Sequence, residues 1–158
     1  MTTSTCSTCS AALSRHSRRS LLIRGAPTVP GVNVAATIAV VLLAVVSVFQ
    51  ILLALGAPLG HAAWGGRHRG ILPGPLRIAS GVAGLVVYPL IGLFVLSSAG
   101  LIRADWMPGT GKAGMWVLAG FFTLGGLANF VSRSKTERYW GPVSLAIAAC
   151  CAVIANRL

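Results

Sequence analysis

The distribution of charged residues constrains the fold of this chain more than any other feature of its sequence. Four uncharged stretches separate the charged groups; they lie between Arg24 and Arg67, Arg77 and Arg103, Lys112 and Arg133, and Arg138 and Arg157. Each stretch holds at least 18 residues, and about 20 helical residues, at 1.5 Å each, cross a hydrocarbon core about 30 Å thick. The spacing therefore predicts four transmembrane helices.

We expect an all-α, polytopic transmembrane four-helix bundle in residues 32–156. The predicted spans are residues 32–55, 78–102, 113–132 and 139–156. Helices are predicted because lipid offers no hydrogen-bond partners to the backbone, and because the apolar runs lack the alternation of a barrel strand. Residues 1–31 are rich in Ser, Thr and Arg and end in a Pro- and Gly-containing segment, so a disordered basic tail is expected there.

Composition excludes an ordinary soluble domain. Hydrophobic residues make up 55% of the 158 residues and charged residues only 9%, whereas soluble domains carry about 25% charge. Thirteen Lys and Arg against two Asp and Glu give a net charge of +11. Nucleic-acid binders place such charge on a well-charged soluble surface, whereas here it falls in short clusters between apolar runs. We therefore expect a multi-pass protein of the cell membrane and no nucleic-acid partner.

The tail contains two short motifs, one typical of a metal or redox site and one typical of an export signal. Cys6 and Cys9 have the spacing of a zinc or redox pair, but zinc needs four ligands and His16 is the only further candidate in the tail. Arg18 and Arg19 resemble a twin-arginine export signal, yet the apolar run that follows is longer than the core of a cleavable signal. We predict neither a metal nor a cofactor, and expect the first apolar run to be an anchor.

Polar candidates cluster in the loop of residues 56–77 and around the turn before the fourth span. Arg67, His68 and Arg69 form an interfacial basic cluster suited to anionic lipid head groups. The predicted structural or lipid-contact positions are Trp64, Arg67, His68, Arg69, Asn129, Arg133, Glu137 and Arg138. Lipid contact or simple topology is favoured here over a dedicated ligand site.

Glu137 is one of only two acidic residues in the chain. We expect it to pair with Arg67 or Arg69 and so to tie the first loop to the start of the last helix, with Trp64 and Trp140 as a shelter from water. The spacing of Ser134 and Glu137 also matches a capping box at the start of the fourth span.

Within the spans, three features indicate helix contacts. Gln50 either bonds to a neighbouring helix or lies near the interface. Pro89 removes a hydrogen bond to the carbonyl of Leu85 and predicts a kink. The four-residue repeat of Ser80, Gly84, Tyr88 and Gly92 favours close helix packing over a lined cavity at the kink.

Four crossings fix the sidedness of the loops but not the orientation of the protein. The loops around Arg67 and Arg133 share one side, while the loop around Asp105 and both termini share the other. Seven Lys and Arg residues fall on the tail side and six on the loop side. A difference of one is too small for the positive-inside rule to orient the chain.

Two segments resemble a family of small bacterial four-helix integral membrane proteins for which no activity is established. The first carries GAP-x-G from Gly56, AWGGRHR from Ala63, and the LP and LR pairs that follow; the second is N-x-x-SRS-x-x-ER from Asn129. Leu59 stands where an aromatic residue is expected. The resemblance covers the four spans and implies the same architecture, and it carries no activity with it.

Three classes of function remain open. A non-catalytic structural or accessory membrane component, acting as a homo-oligomer or with a membrane-protein partner, is favoured because no nucleophile and base occur at a recognisable spacing. A small-solute or ion transporter, acting as an oligomer, predicts a polar cavity near Gln50 and Tyr88. An interfacial enzyme predicts that Glu137, His61 and His68 converge within hydrogen-bond reach.

Overall fold

The computed structural model describes residues 30–103 and 111–158, and these residues form four long helices without any strand. The helices are α1 (Pro30–Ala54), α2 (Gly74–Ser98), α3 (Lys112–Val131) and α4 (Trp140–Ala155). With the short 3₁₀ turn Glu137–Tyr139 ahead of α4, each is long and apolar enough to cross a membrane. The expected all-helical chain with four such helices is confirmed. The tail, with Cys6, Cys9 and His16, and the acidic residue Asp105 lie outside the described residues.

Two helices begin earlier than the sequence predicts. The predicted starts are residues 32 and 78, whereas α1 begins at Pro30 and α2 at Gly74. Proline is readily accommodated in the first turn of a helix, where its missing N–H has no intrahelical acceptor in any case. Pro75 occupies this first turn in α2. The prolines therefore open these helices, where the sequence-based prediction treats them as part of the preceding loops.

Helix α2 winds irregularly just before Pro89. It is α-helical over Gly74–Val82, π-helical over Ala83–Val87, and α-helical again over Tyr88–Ser98. The backbone N–H of Tyr88 donates to the carbonyl of Ala83. This hydrogen bond spans five residues, whereas an α-helical one spans four. The Ser47 hydroxyl on α1 donates to the carbonyl of Gly84. Proline removes a backbone donor and crowds the preceding turn, which accounts for the π-helical segment at the position where a kink is predicted.

Helices α1 and α4 form the centre of the protein, with α2 packed on α1 and α3 packed on α4. The core is rich in small residues; it includes Ala35, Ala36, Ala39, Leu43, Val95, Met115, Ala119, Ile147, Ala148, Cys151 and Ile154. Small side chains let helix backbones approach closely. At Gly84 a Cβ atom would stand only 2.8 Å from the backbone oxygen of Ser47. The predicted packing role of the stripe in α2 is therefore confirmed at Gly84.

The loop between α1 and α2 folds against the end of α1. Leu53, Ala63 and Leu72 form a small buried cluster of their own, separate from the main core. The backbone N–H of Gly60 donates to the carbonyl of Gly70 across 2.9 Å, which closes the loop on itself. This compact loop is the platform for the candidate site.

Candidate functional site

A left-handed turn at Trp64–Gly66 shapes the loop. Trp64, Gly65 and Gly66 have φ angles of 55°, 78° and 65°, and Trp64 is the one non-glycine residue with positive φ in the part of the chain that the structure describes. Left-handed backbone is unfavourable for residues with a Cβ and is readily adopted by glycine. The two glycines therefore allow a reversal that the loop could not otherwise make.

This turn directs a backbone donor at Glu137. The N–H of Gly65 donates to Glu137 Oε1 across 2.8 Å, and the Ser132 hydroxyl donates to Glu137 Oε2. Only 7% of the Glu137 residue is exposed, and it is the one buried charged residue among those described. The expected partner, Arg67 or Arg69, is thus replaced by two uncharged donors. Hydrogen bonds to a buried carboxylate offset the cost of removing its charge from water. Here the backbone of Gly65 and the hydroxyl of Ser132 donate these bonds.

Ser134 forms a second bridge between the two segments. Its hydroxyl donates to the backbone carbonyl of His61 across 2.5 Å. Gly66 lies directly against it, since a Cβ on Gly66 would stand 2.4 Å from Ser134 Cβ. The predicted capping box is therefore wrong: neither the 3₁₀ turn nor α4 has a side-chain cap, because the side chains of Ser134 and Glu137 face the loop.

One side chain bonds the loop to α2, and another bonds α2 to the end of α1. The Trp64 indole N–H donates to the hydroxyl of Ser80, a fully buried residue of α2, across 3.1 Å. The Arg77 Nε donates to the carbonyl of Ala54 at the end of α1 across 3.0 Å. Helix carbonyls at a C-terminus lack intrahelical partners, so Arg77 satisfies one of them. The loop is thus bonded to α2 and to the turn before α4, and α2 is bonded to the end of α1.

A cavity of about 310 Å³ lies beneath the loop, between all four helices. Aromatic residues dominate its walls: Phe49, Trp64, Tyr88, Phe121, Phe122 and Trp140. The Phe49 and Trp140 rings are in contact, with centroids 4.5 Å apart and planes tilted by 40°. The polar members of the lining are Gln50, Asn129, Glu137 and Ser144, together with the polar atoms of the aromatic residues.

Gln50 contributes a side-chain amide to the lining of this cavity. Its Oε1 is buried, and no donor among residues 30–103 and 111–158 forms a hydrogen bond with it. Buried polar atoms are nearly always hydrogen-bonded, so an exception marks a place where another molecule can supply the bond. The sequence left open whether Gln50 bonds to a neighbouring helix or lies near the interface, and in the structure it lines a cavity shared by four helices.

A second, more open groove of about 540 Å³ lies on the outer side of Glu137. Arg67 from the loop and Arg133 from the turn after α3 line it, together with Asn129, Ser132 and Glu137. Both arginines are exposed. Two guanidinium groups beside polar side chains can hold an anionic group such as a phosphate.

The structure brings five of the eight candidate residues together and leaves three apart. Trp64, Asn129 and Glu137 line the cavity, while Arg67 and Arg133 join Asn129 and Glu137 at the groove. His68, Arg69 and Arg138 line neither space. Arg138 instead donates from its Nε to the carbonyl of Ser132 across 3.0 Å, bracing the turn before α4.

Several of the contacts at the site are not predicted from the sequence. Gly65, Ser132 and the carbonyl of His61 make the decisive contacts through backbone or short hydroxyl groups. The one available signal is the consecutive pair Gly65–Gly66, which is typical of left-handed backbone. Over residues 30–103 and 111–158, no group of three or more His, Cys, Asp or Glu side chains is placed to hold a metal ion.

Comparison with known proteins adds no further assignment. No family model matches the sequence, and neither a curated protein nor a solved structure resembles it significantly.

Proposed function

We propose that this chain is a multi-pass protein of the cell membrane that serves as a non-catalytic structural or accessory component. The observation that carries the proposal is the exposure of its apolar helices. In each of α1, α2 and α3, only 22% of the most apolar segment is buried within the protein. The corresponding value for the span of residues 137–155 is 33%. Large apolar side chains such as Val117, Leu124 and Val131 are at least 70% exposed. Contiguous apolar surface of this extent is compatible with lipid and not with water.

A structural role is supported by how the polar groups of the loop are used. Gly65 and Ser134 bond the loop to the turn before α4, and Trp64 bonds it to α2. The protein then presents a rigid polar face at one membrane boundary and an apolar belt to its surroundings. Such a surface suits a second copy of the chain or another membrane protein as a partner.

Lipid contact belongs to the same proposal. In the proposed topology, the groove lined by Arg67 and Arg133 lies at the membrane boundary, where phosphate-bearing head groups are concentrated. We infer that an anionic lipid head group occupies this groove. Basic residues near an anionic surface contribute about 1 kcal/mol each to such binding.

The experiment that tests the proposal is membrane fractionation followed by crosslinking. The tagged chain should remain in the pellet after alkaline carbonate extraction and should dissolve only with detergent. Crosslinking in native membranes should then capture a constant partner, either a second copy or another membrane protein. Recovery of the chain as a soluble monomer without detergent would overturn the membrane assignment, and a monomer that crosslinks to nothing would overturn the accessory role.

A small-solute transporter is the second candidate, and the aromatic cavity favours it. A polar cavity near Gln50 and Tyr88 is the feature expected of a transporter, and both residues line this cavity. Reconstitution into liposomes tests this candidate with glycerol as the probe solute. Protein-dependent glycerol permeation that is lost in a Gln50→Leu variant would support it, and permeation equal to that of empty liposomes would remove small neutral solutes from consideration.

A further inference from the structure

Three features of the aromatic cavity bear on the kind of ligand that it can hold. Six of the ten aromatic residues in the described part of the chain line it. The one buried charged residue of the described chain, Glu137, lines it as well. The partnerless Oε1 of Gln50 is a third element of the same lining.

Among the residues that the structure describes, neutral donors and no cation contact the Glu137 carboxylate. Gly65 N–H and the Ser132 hydroxyl each supply one hydrogen bond, one to each carboxylate oxygen. Each carboxylate oxygen can accept more than one hydrogen bond, so acceptor capacity remains on both. Arg67 and Arg133 lie on the outer groove, where both are exposed to solvent. The Glu137 carboxylate can therefore accept a further hydrogen bond from a cation that occupies the cavity.

The other polar and aromatic groups favour the same kind of ligand. Gln50 Oε1 is an acceptor, so it requires a ligand that donates a hydrogen bond. Aromatic faces attract cations electrostatically, with tryptophan the strongest, and two tryptophans line the space. A carboxylate, an amide oxygen and aromatic faces together select against anions and in favour of organic ammonium ions.

We propose that the aromatic cavity is a binding site for a small organic ammonium ion. The ammonium group binds between the Glu137 carboxylate and the Gln50 amide oxygen, and its carbon skeleton lies against the aromatic walls. The volume of about 310 Å³ lies at the lower end of the range for pockets that bind small molecules. The site is independent of whether the protein acts as an accessory component or a transporter.

The test measures binding to the full chain in detergent or lipid nanodiscs by isothermal titration calorimetry. Phenethylammonium is the cationic probe, and 2-phenylethanol is a neutral probe of nearly the same shape. We expect saturable binding of phenethylammonium and binding of 2-phenylethanol that is weaker by about tenfold or more, as loss of a buried charge contact implies. Equal binding of the two probes, or no saturable binding of phenethylammonium, would overturn the proposal.

Two variants locate the site on the protein. Glu137→Gln keeps the side-chain volume and removes the charge, so phenethylammonium binding should weaken by about tenfold or more while 2-phenylethanol binding is unchanged. Gln50→Met removes the amide acceptor at similar volume and leaves the loop contacts of Glu137 in place, so it reports on the site even if Glu137→Gln does not fold. Lys135→Gln, on the exposed turn, is the matched control. Wild-type affinity in the Gln50→Met protein, or an equal loss in Lys135→Gln, would contradict the proposed site.

Discussion

The backbone N–H of Gly65 donates a hydrogen bond to Glu137 Oε1 across 2.8 Å, joining two residues that are 72 positions apart in the chain. This contact connects the first loop to the turn that opens the last helix. It also places the only buried charge of the described residues between the aromatic cavity and the outer groove. The predictions below follow from this arrangement.

Replacing Glu137 with glutamine should destabilise the protein. The amide offers only one carbonyl oxygen for two donors and turns an NH₂ group toward the other, so one charge-assisted hydrogen bond is lost. The expected decrease in the free energy of unfolding is about 1–3 kcal/mol. Denaturation with SDS in mixed micelles, followed by circular dichroism, measures it. Tyr139→Phe, at a side chain that is 77% exposed, is the control and should leave stability unchanged; an unaltered Glu137→Gln protein would show that the contact is not structural.

Gly65 and Gly66 should differ in their tolerance of alanine. Both have positive φ, so alanine costs about 1–2 kcal/mol at either position through backbone strain. A Cβ on Gly65 meets nothing within 4 Å, whereas on Gly66 it would stand 2.4 Å from Ser134 Cβ. Overpacking of this kind adds about 1–3 kcal/mol. Gly66→Ala should therefore be clearly less stable than Gly65→Ala in the same unfolding assay, and equal stabilities would argue against the docked loop.

The contact between α1 and α2 can be tested with a second glycine pair. A Cβ on Gly84 would stand 2.8 Å from the Ser47 carbonyl oxygen, whereas a Cβ on Gly92, two stripe positions further along α2, would have open space around it. Gly84→Ala should cost about 1–3 kcal/mol through separation of the helices. Gly92→Ala should be neutral or stabilising by up to about 1 kcal/mol, since alanine is the better helix former. Thermal denaturation in one detergent compares the two, and a destabilised Gly92→Ala would be inconsistent with this packing.

The proposed lipid site predicts a selective loss of bound lipid. Replacing Arg67 and Arg133 together with glutamine should reduce co-purified phosphatidylglycerol by about tenfold or more, at about 1 kcal/mol for each arginine. Native mass spectrometry of the detergent-solubilised protein counts the retained lipids. Arg157→Gln, which removes a charge at the far end of α4, is the control and should retain the lipid. Equal retention in all three proteins would place the lipid elsewhere.

The sequence predicts the positions of the helices well because a membrane-spanning helix needs a long apolar stretch without charged residues. The uncharged stretches place α1, α3 and α4 within two residues of their observed starts, at Pro30, at Lys112 and at Glu137 when the 3₁₀ turn is included. The larger error, at Gly74, arises because proline both breaks helices and opens them, so the sequence does not show on which side of the prolines α2 begins.

The site is harder to predict from the sequence because backbone groups and short hydroxyl side chains form many of its hydrogen bonds. A surplus of arginines suggests an ion pair for Glu137, yet the donors are the Gly65 backbone and the Ser132 hydroxyl. Any residue type except proline has a backbone N–H, so the sequence cannot indicate which one reaches a carboxylate 72 positions away. The cavity depends likewise on how six aromatic residues from several segments come together.

Topology mapping with reporter fusions tests the central claim most directly, because four membrane crossings fix the side of every loop. Fusions of a periplasm-dependent phosphatase and of a cytoplasm-dependent fluorescent protein are made after residues 70, 108, 135 and 158. The account predicts that the fusions at residues 70 and 135 report one side of the membrane, and that those at 108 and 158 report the other. Fusions at 70 and 135 on opposite sides would contradict the account, because Gly65 and Glu137 would then be separated by the bilayer.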